Sequence, residues 1–163
     1  MWPSVALLLF VTLQRLAELL ISKVNTRRLL EAGGREVAPR HYPLLVSVQA
    51  VWLLTLWWYA PGRPIQLPFL ILFAMIEVGR FWVLRTLGRR WTTRIIVVPG
   101  ETLVASGPYR FVNHPNYLVV VGEVAVLPLV FGLWQVALIF SLVNAAALTV
   151  RIRAENRALG RSS

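Results

Sequence analysis

Apolar runs close to the length a bilayer core demands of a helix, roughly 20 residues, recur along this chain, and they constrain its fold more than any other feature. Five emerge, at about 4–22, 43–60, 67–87, 116–131 and 133–150. A water-soluble domain would have to hide all of them, and 163 residues, 57% of them apolar, leave little polar surface to do so. The expectation is one all-α domain over 1–163, an integral membrane bundle of five transmembrane helices. The first run has no basic stretch before it and leads into Gln14, Arg15 and Glu18 instead of a small-residue cleavage site. It therefore reads as a retained helix and not a signal peptide.

Connections follow from turn chemistry. Tyr59-Ala-Pro-Gly-Arg-Pro64 is a compact turn between the second and third runs, and Gly132 marks a tight hairpin between the fourth and fifth. The stretch 88–115 carries turn signals at Val97-Val-Pro-Gly-Glu101 and Ala105-Ser-Gly-Pro108. It reads as an ordered interfacial loop with room for a short helix, and not as a sixth span.

A formal charge of +10 raises the question of nucleic acid, and the distribution of that charge answers it. Lys23, Arg27, Arg28, Arg35 and Arg40 lie in one connection; Arg89, Arg90, Arg94 and Arg110 lie in another. Arg151, Arg153, Arg157 and Arg161 follow the last run, so thirteen of the 17 basic residues fall in three segments. Five spans put those segments on one side, which the positive-inside rule makes cytoplasmic. The N-terminus is then outside and the C-terminus inside. Nucleic-acid binding is not expected; the expected partners are membrane lipids and a lipophilic small molecule. With no cysteine, no aspartate and two isolated histidines, His41 and His114, no metal site is expected either.

Polar groups that a greasy bundle does not need are the candidate chemistry. Gly107-Pro-Tyr-Arg-Phe-Val-Asn-His-Pro-Asn-Tyr117 precedes the fourth run, and Arg151-Ile-Arg-Ala-Glu-Asn156 follows the fifth. Pro115 suits the first turn of a helix, which puts His114 at the cap and Tyr117 one turn on. The free N–H groups and dipole of such a start favour a carboxylate or similar anion. The plainer reading is an interfacial aromatic belt. Arg151 and Glu155 stand i, i+4 on one helix face, whereas Arg153, Arg157 and Arg161 suit lipid headgroups. Inside the runs, Arg15 with Glu18 and Glu77 with Arg80 are i, i+3 pairs able to neutralise each other. Glu123 needs an arginine from another span. These five read as scaffold first and cavity lining second. No glycine-rich nucleotide loop and no serine-hydrolase elbow is present.

The 107–117 element, with Arg151-x-x-x-Glu155 after the next helical hairpin, resembles the isoprenylcysteine carboxyl methyltransferase family, membrane-embedded enzymes that use S-adenosylmethionine. Leu13-Gln-Arg-Leu-Ala-Glu-Leu19, His41-Tyr-Pro43 and Leu87-Gly-Arg-Arg-Trp-Thr92 look like its small bacterial branch, some of whose members O-methylate alkylpyrones. Two positions depart from the family pattern: Asn113 stands where arginine usually precedes His-Pro, and Asn156 stands where a second glutamate is usual. The resemblance implies a cofactor pocket on the cytoplasmic side formed by Leu103, Val104, Gly107, Tyr109, His114, Tyr117, Leu118, Glu155 and Asn156. In it His114 and Tyr117 hold the methionine end and Leu103 and Val104 line the adenine slot. Arg151 and Glu155 are the implied catalytic pair, with Arg151 nearest the substrate. The implied acceptor is a lipidic acid, a prenylcysteine-type carboxylate or an alkylpyrone-type enol. N-methylation of a phospholipid amine is a rival that needs an extra base to take the amine proton. A scaffold or transporter subunit without enzymatic activity leaves the His-Pro-Asn-Tyr cluster unexplained.

Overall fold

The computed structural model describes residues 2–37, 39–100, 105–112 and 114–159. Five helices dominate: α1 (Trp2–Glu31), α2 (Tyr42–Tyr59), α3 (Leu67–Leu87), α4 (Pro115–Val130) and α5 (Trp134–Leu159). Two three-residue strands, β1 (Arg35–Val37) and β2 (Ile95–Val97), pair antiparallel with Glu36 opposite Ile96. This ribbon is an addition to the expected all-α bundle, and it ties the 32–41 connection to the 88–114 connection. The latter also carries two short 3-10 turns, Gly88–Arg90 and Gly107–Arg110.

Helix boundaries track α2, α3 and α4 within a residue of the apolar runs, but α1 and α5 each continue about nine residues beyond theirs. Hydropathy marks where the chain is greasy; backbone propensity marks where the helix stops. No proline or glycine interrupts Lys23–Glu31 or Arg151–Leu159, so the helices run on as polar extensions. α1 ends at Gly33, whose φ of 92° is the left-handed conformation glycine adopts freely. There the Gly33 and Gly34 amides return to the Leu30 and Leu29 carbonyls, a Schellman stop. The expected hairpin at Gly132 has the same build: φ is 71°, and the Gly132 and Leu133 amides reach the Leu129 and Pro128 carbonyls.

Three helices, α1, α3 with its following turn, and α5, are long and apolar enough to cross a membrane. α2 has 18 residues and α4 has 16. Leu13, Leu20, Val78, Phe81 and Leu142 stand exposed on the outside of the bundle. Water would not tolerate an apolar surface of this extent, whereas lipid would. Between helices the attraction is close packing, not water exclusion. Gly122 serves it on α4, where a Cβ would sit 3.0 Å from the Ile76 side chain of α3. The solid part of the core is at the end of the bundle holding the α4–α5 hairpin: Leu8, Trp52, Leu56, Phe73, Leu127 and Phe131. Toward the other end the bundle opens into a cavity.

A candidate active site around Tyr117

Every expectation for the start of α4 rests on Pro115, and the proline does occupy the first helical turn, with His114 as the cap residue. The His114 and Tyr117 rings lie 5.2 Å apart, tilted by 31°. Across from them the polar extension of α5 presents Arg151, Glu155 and Asn156. The Tyr117 hydroxyl donates to the Glu155 carboxylate and accepts from Arg151 Nε at 3.0 Å. His114 Nε2 meets Asn156 Oδ1 at 2.9 Å, and its Nδ1 lies 3.7 Å from a Glu155 oxygen. Arg151 and Glu155, one turn apart on α5, thus meet at a single phenol from α4. Asn156, buried, holds the histidine.

The second anchor of Arg151 comes from the 88–114 connection, where its guanidinium donates to the Thr93 carbonyl. Thr93 is fixed from α1: its amide donates to Ser22 Oγ at 2.9 Å, and the two hydroxyls are 2.8 Å apart. Asn25 Nδ2 adds a bond to the Trp91 carbonyl at 2.7 Å. Tyr42, at the start of α2, brings its hydroxyl to Thr93 Oγ1 at 3.0 Å, and Arg94 stacks over the Tyr42 ring at 4.0 Å while pairing with Glu36. α1 thus fixes Thr93 from Ser22, the last residue of its apolar run, while Asn25 in the polar extension holds the neighbouring Trp91 carbonyl.

Tyr117 and Arg151 line a cavity of about 290 Å³, with walls from Leu16, Leu19, Leu45, Leu53 and Leu148. Its wall also includes Tyr42, Thr93, Asn116, Gln49 and Asn144. None of these last five was singled out as a site residue from sequence. Gln49 and Asn144 did carry a signal, being lone amides inside apolar runs. The contribution of Thr93 is a backbone carbonyl, which no sequence pattern can single out.

Other sequence-derived candidates are dispersed. Gly107 and Tyr109 lie in a 3-10 turn against α3; Gly107 has a φ of 57°, and a Cβ there would stand 2.5 Å from Thr86 Oγ1. Leu118 is 60% exposed, one residue round the helix from Tyr117. Leu103, Val104, Asn113 and Arg161 lie outside the described residues.

The ionisable residues within the helices gather into one cluster, with one change from expectation. Glu123 of α4, 1% exposed, pairs with Arg15 of α1 and Arg80 of α3, as its lack of a local partner required. Arg15 also lies 3.5 Å from Glu18. Arg80, however, turns from its helix neighbour Glu77 to Glu18 at 2.9 Å and Glu123, while Glu77 accepts from Gln14. The reason is burial: two carboxylates from other helices need neutralising, and one planar guanidinium fork serves both.

A family model described as the isoprenylcysteine carboxyl methyltransferase family matches residues 69–161, which include α4, α5 and the whole Tyr117 cluster. The chain is also 33% identical over 171 residues to YpbQ of Bacillus subtilis (strain 168), a protein named as uncharacterized, covering 97% of this chain and 95% of that one. No solved structure matches.

Proposed function

The chain belongs to the isoprenylcysteine carboxyl methyltransferase family, a family of membrane methyltransferases, and from that premise we propose that it methylates an acidic oxygen of a lipid using S-adenosylmethionine. The observation that carries this reading is the Tyr117 hydroxyl, where a guanidinium and a carboxylate meet on the wall of a largely apolar cavity.

The residues present fit that cofactor. Its amino-acid end has a carboxylate, matched by His114 and the positive dipole end of α4, and an ammonium, matched by Glu155. When bound, S-adenosylmethionine supplies a methyl group on a positively charged sulfur. Leu103 and Val104 are the proposed adenine walls, with Gly107, Tyr109, Leu118 and Asn156 around the rest of the pocket. On the other side of Tyr117, Arg151 orients the acceptor oxygen. Its Nε is fixed by the phenol and one Nη by the Thr93 carbonyl, so the planar fork has a defined direction. The acceptor is already an anion, and transfer to it needs no strong base; the leucine walls keep water out while opposite charges disappear. An amine acceptor would need a base to remove its proton, and within the Tyr117 cluster each candidate already has a partner.

In the proposed membrane arrangement all five helices span. α2 and α4 are about 27 and 24 Å long at 1.5 Å per residue, short enough that the bundle around the cavity sits slightly inside the bilayer boundary. The Tyr117 cluster then faces the cytosol, where the cofactor is available. A reporter fused after α5 should be active in the cytosol; activity confined to the outside would invert the topology.

Titration of the detergent-purified protein with S-adenosylhomocysteine, followed by transfer of a labelled methyl group to lipid acids, tests the function. Saturable binding and base-labile labelled ester or enol ether are expected. A folded protein that does not bind S-adenosylhomocysteine overturns the proposal.

A further inference from the structure

The cavity that holds Tyr117 and Arg151 carries polar groups at two levels. On α2, Tyr42 and Gln49 both line it, seven residues apart; on α5, Arg151 and Asn144 do the same. Seven residues are two helical turns, about 10 Å. The two pairs are in register: Tyr42 and Arg151 both bond to Thr93, and Gln49 Nε2 reaches Asn144 Oδ1 at 3.4 Å. Leu45, Val46 and Leu148 form apolar wall between the levels.

The deeper level has unused hydrogen-bonding capacity. Its amide–amide contact is at the long edge of a hydrogen bond. Among the described residues, Gln49 Oε1 is buried without a partner, and so is Nε of Arg15, whose side chain lines the same cavity from α1. An unmatched acceptor and an unmatched donor on two residues that line one cavity are uncommon, because buried polar atoms are nearly always paired. A helix-to-helix clamp alone would not leave both open.

We propose that Gln49, Asn144 and Arg15 form a second recognition point, for a hydroxyl on the body of the lipid about 10 Å from the oxygen that is methylated. A hydroxyl both donates and accepts, and so matches an amide oxygen together with a guanidine N–H. The inference rests on the methyltransferase reading for the identity of the first point, Arg151. It narrows the substrate class to acidic amphiphiles with a second polar group, and it makes plain fatty or prenyl acids inferior substrates.

Two lipid acids of equal chain length test it, one plain and one with a hydroxyl about 10 Å from the carboxylate. Binding of each is followed by quenching of tryptophan fluorescence in detergent, and methylation by labelled methyl transfer. The wild-type protein should bind the hydroxylated acid about tenfold more tightly, the scale of one well-placed hydrogen bond, with a matching ratio in kcat/KM. Gln49→Leu, nearly isosteric, should bring both ratios near one, and Gln49→Glu should keep a preference. Circular dichroism and S-adenosylhomocysteine titration report whether each variant is folded. Equal binding of the two acids by the wild type overturns the second recognition point, even if both are methylated. Preferential binding that Gln49→Leu abolishes, without methyl transfer to either acid, upholds the point and overturns the methyltransferase reading instead.

Discussion

The bundle contains two clusters of charged side chains that share one cavity and are built on opposite terms. Arg15, Glu18, Arg80 and Glu123 join three helices, and all but Arg15 are nearly inaccessible. Each carboxylate in it faces arginine from another helix, so the charges are balanced where they cannot be hydrated. His114, Tyr117, Arg151, Glu155 and Asn156 join two helices and one connection. Glu155 and His114 remain partly accessible, and the group mixes a cation, a carboxylate, a phenol and an imidazole. A cluster whose carboxylates are all paired chiefly holds its helices, with Arg15 Nε its opening toward the cavity; one with accessible edges and mixed donors and acceptors can exchange partners with a ligand. The contrast assigns scaffold to the first and chemistry to the second, and it can be broken by experiment.

The largest effect should come from the first cluster. Arg80→Leu leaves two buried carboxylates, Glu18 and Glu123, with Arg15 alone between them and should destabilise the fold by about 3–5 kcal/mol, as removal of one partner from a buried pair does. Thermal unfolding followed by helicity in detergent would measure it. Arg80→Leu combined with Glu123→Leu and Glu18→Leu should regain part of that loss, because no buried carboxylate of the cluster is then left bare and the one charge that stays, Arg15, is the most accessible of the four. If the triple variant is folded but no longer binds lipid acids, the first cluster belongs to the substrate site as well.

In the second cluster stability should barely change while function does. Arg151→Lys keeps a charge but loses the fork held by Tyr117 and Thr93, and should slow methyl transfer about 100-fold, the scale of a misplaced reactant. S-adenosylhomocysteine affinity should stay nearly intact in that variant, whereas Glu155→Gln should chiefly weaken it. Equal loss of cofactor affinity in both would make the pair one wall of the cofactor pocket. The orienting role would then pass to another arginine of the cavity, Arg15 or Arg80.

Smaller again is His114→Ala, expected to weaken S-adenosylhomocysteine binding by about 1–3 kcal/mol, a hydrogen bond to a charged group. Unchanged affinity by calorimetry would leave His114 as a packing partner of Asn156. Arg153→Gln, on the exposed side of α5, should alter stability by less than about 0.5 kcal/mol. A larger change would mean that the tail has contacts beyond lipid headgroups.

Legibility from sequence followed the range of the forces involved. The bounds of α3 and the α4–α5 hairpin could be read because proline and glycine act within a few residues. The cap position of His114 was readable for the same reason, from Pro115 alone. The β1–β2 ribbon was not: three-residue strands some 60 positions apart carry no periodicity worth reading. Overextension of α1 and α5 escaped because polar helix and polar loop have the same hydropathy. The direct partners of Arg80 were not readable beside Glu77 because spacing reports which residues can meet on one helix, not which competitors another helix brings.

What the chain determined by itself was its solvent and its local geometry. Apolar run length requires a medium like lipid, and the histidine, phenol and arginine beside the spans are polar groups that a membrane bundle does not need in order to fold. What the tertiary structure decided was partnership: Arg151 with Tyr117 and Thr93, His114 with Asn156, Arg80 with Glu18 and Glu123. Those residues lie 34 to 62 positions apart in each of the hydrogen bonds concerned. An electrostatic contact of a few ångströms between them exists only after packing has fixed which helix faces meet, and close packing depends on the whole bundle at once.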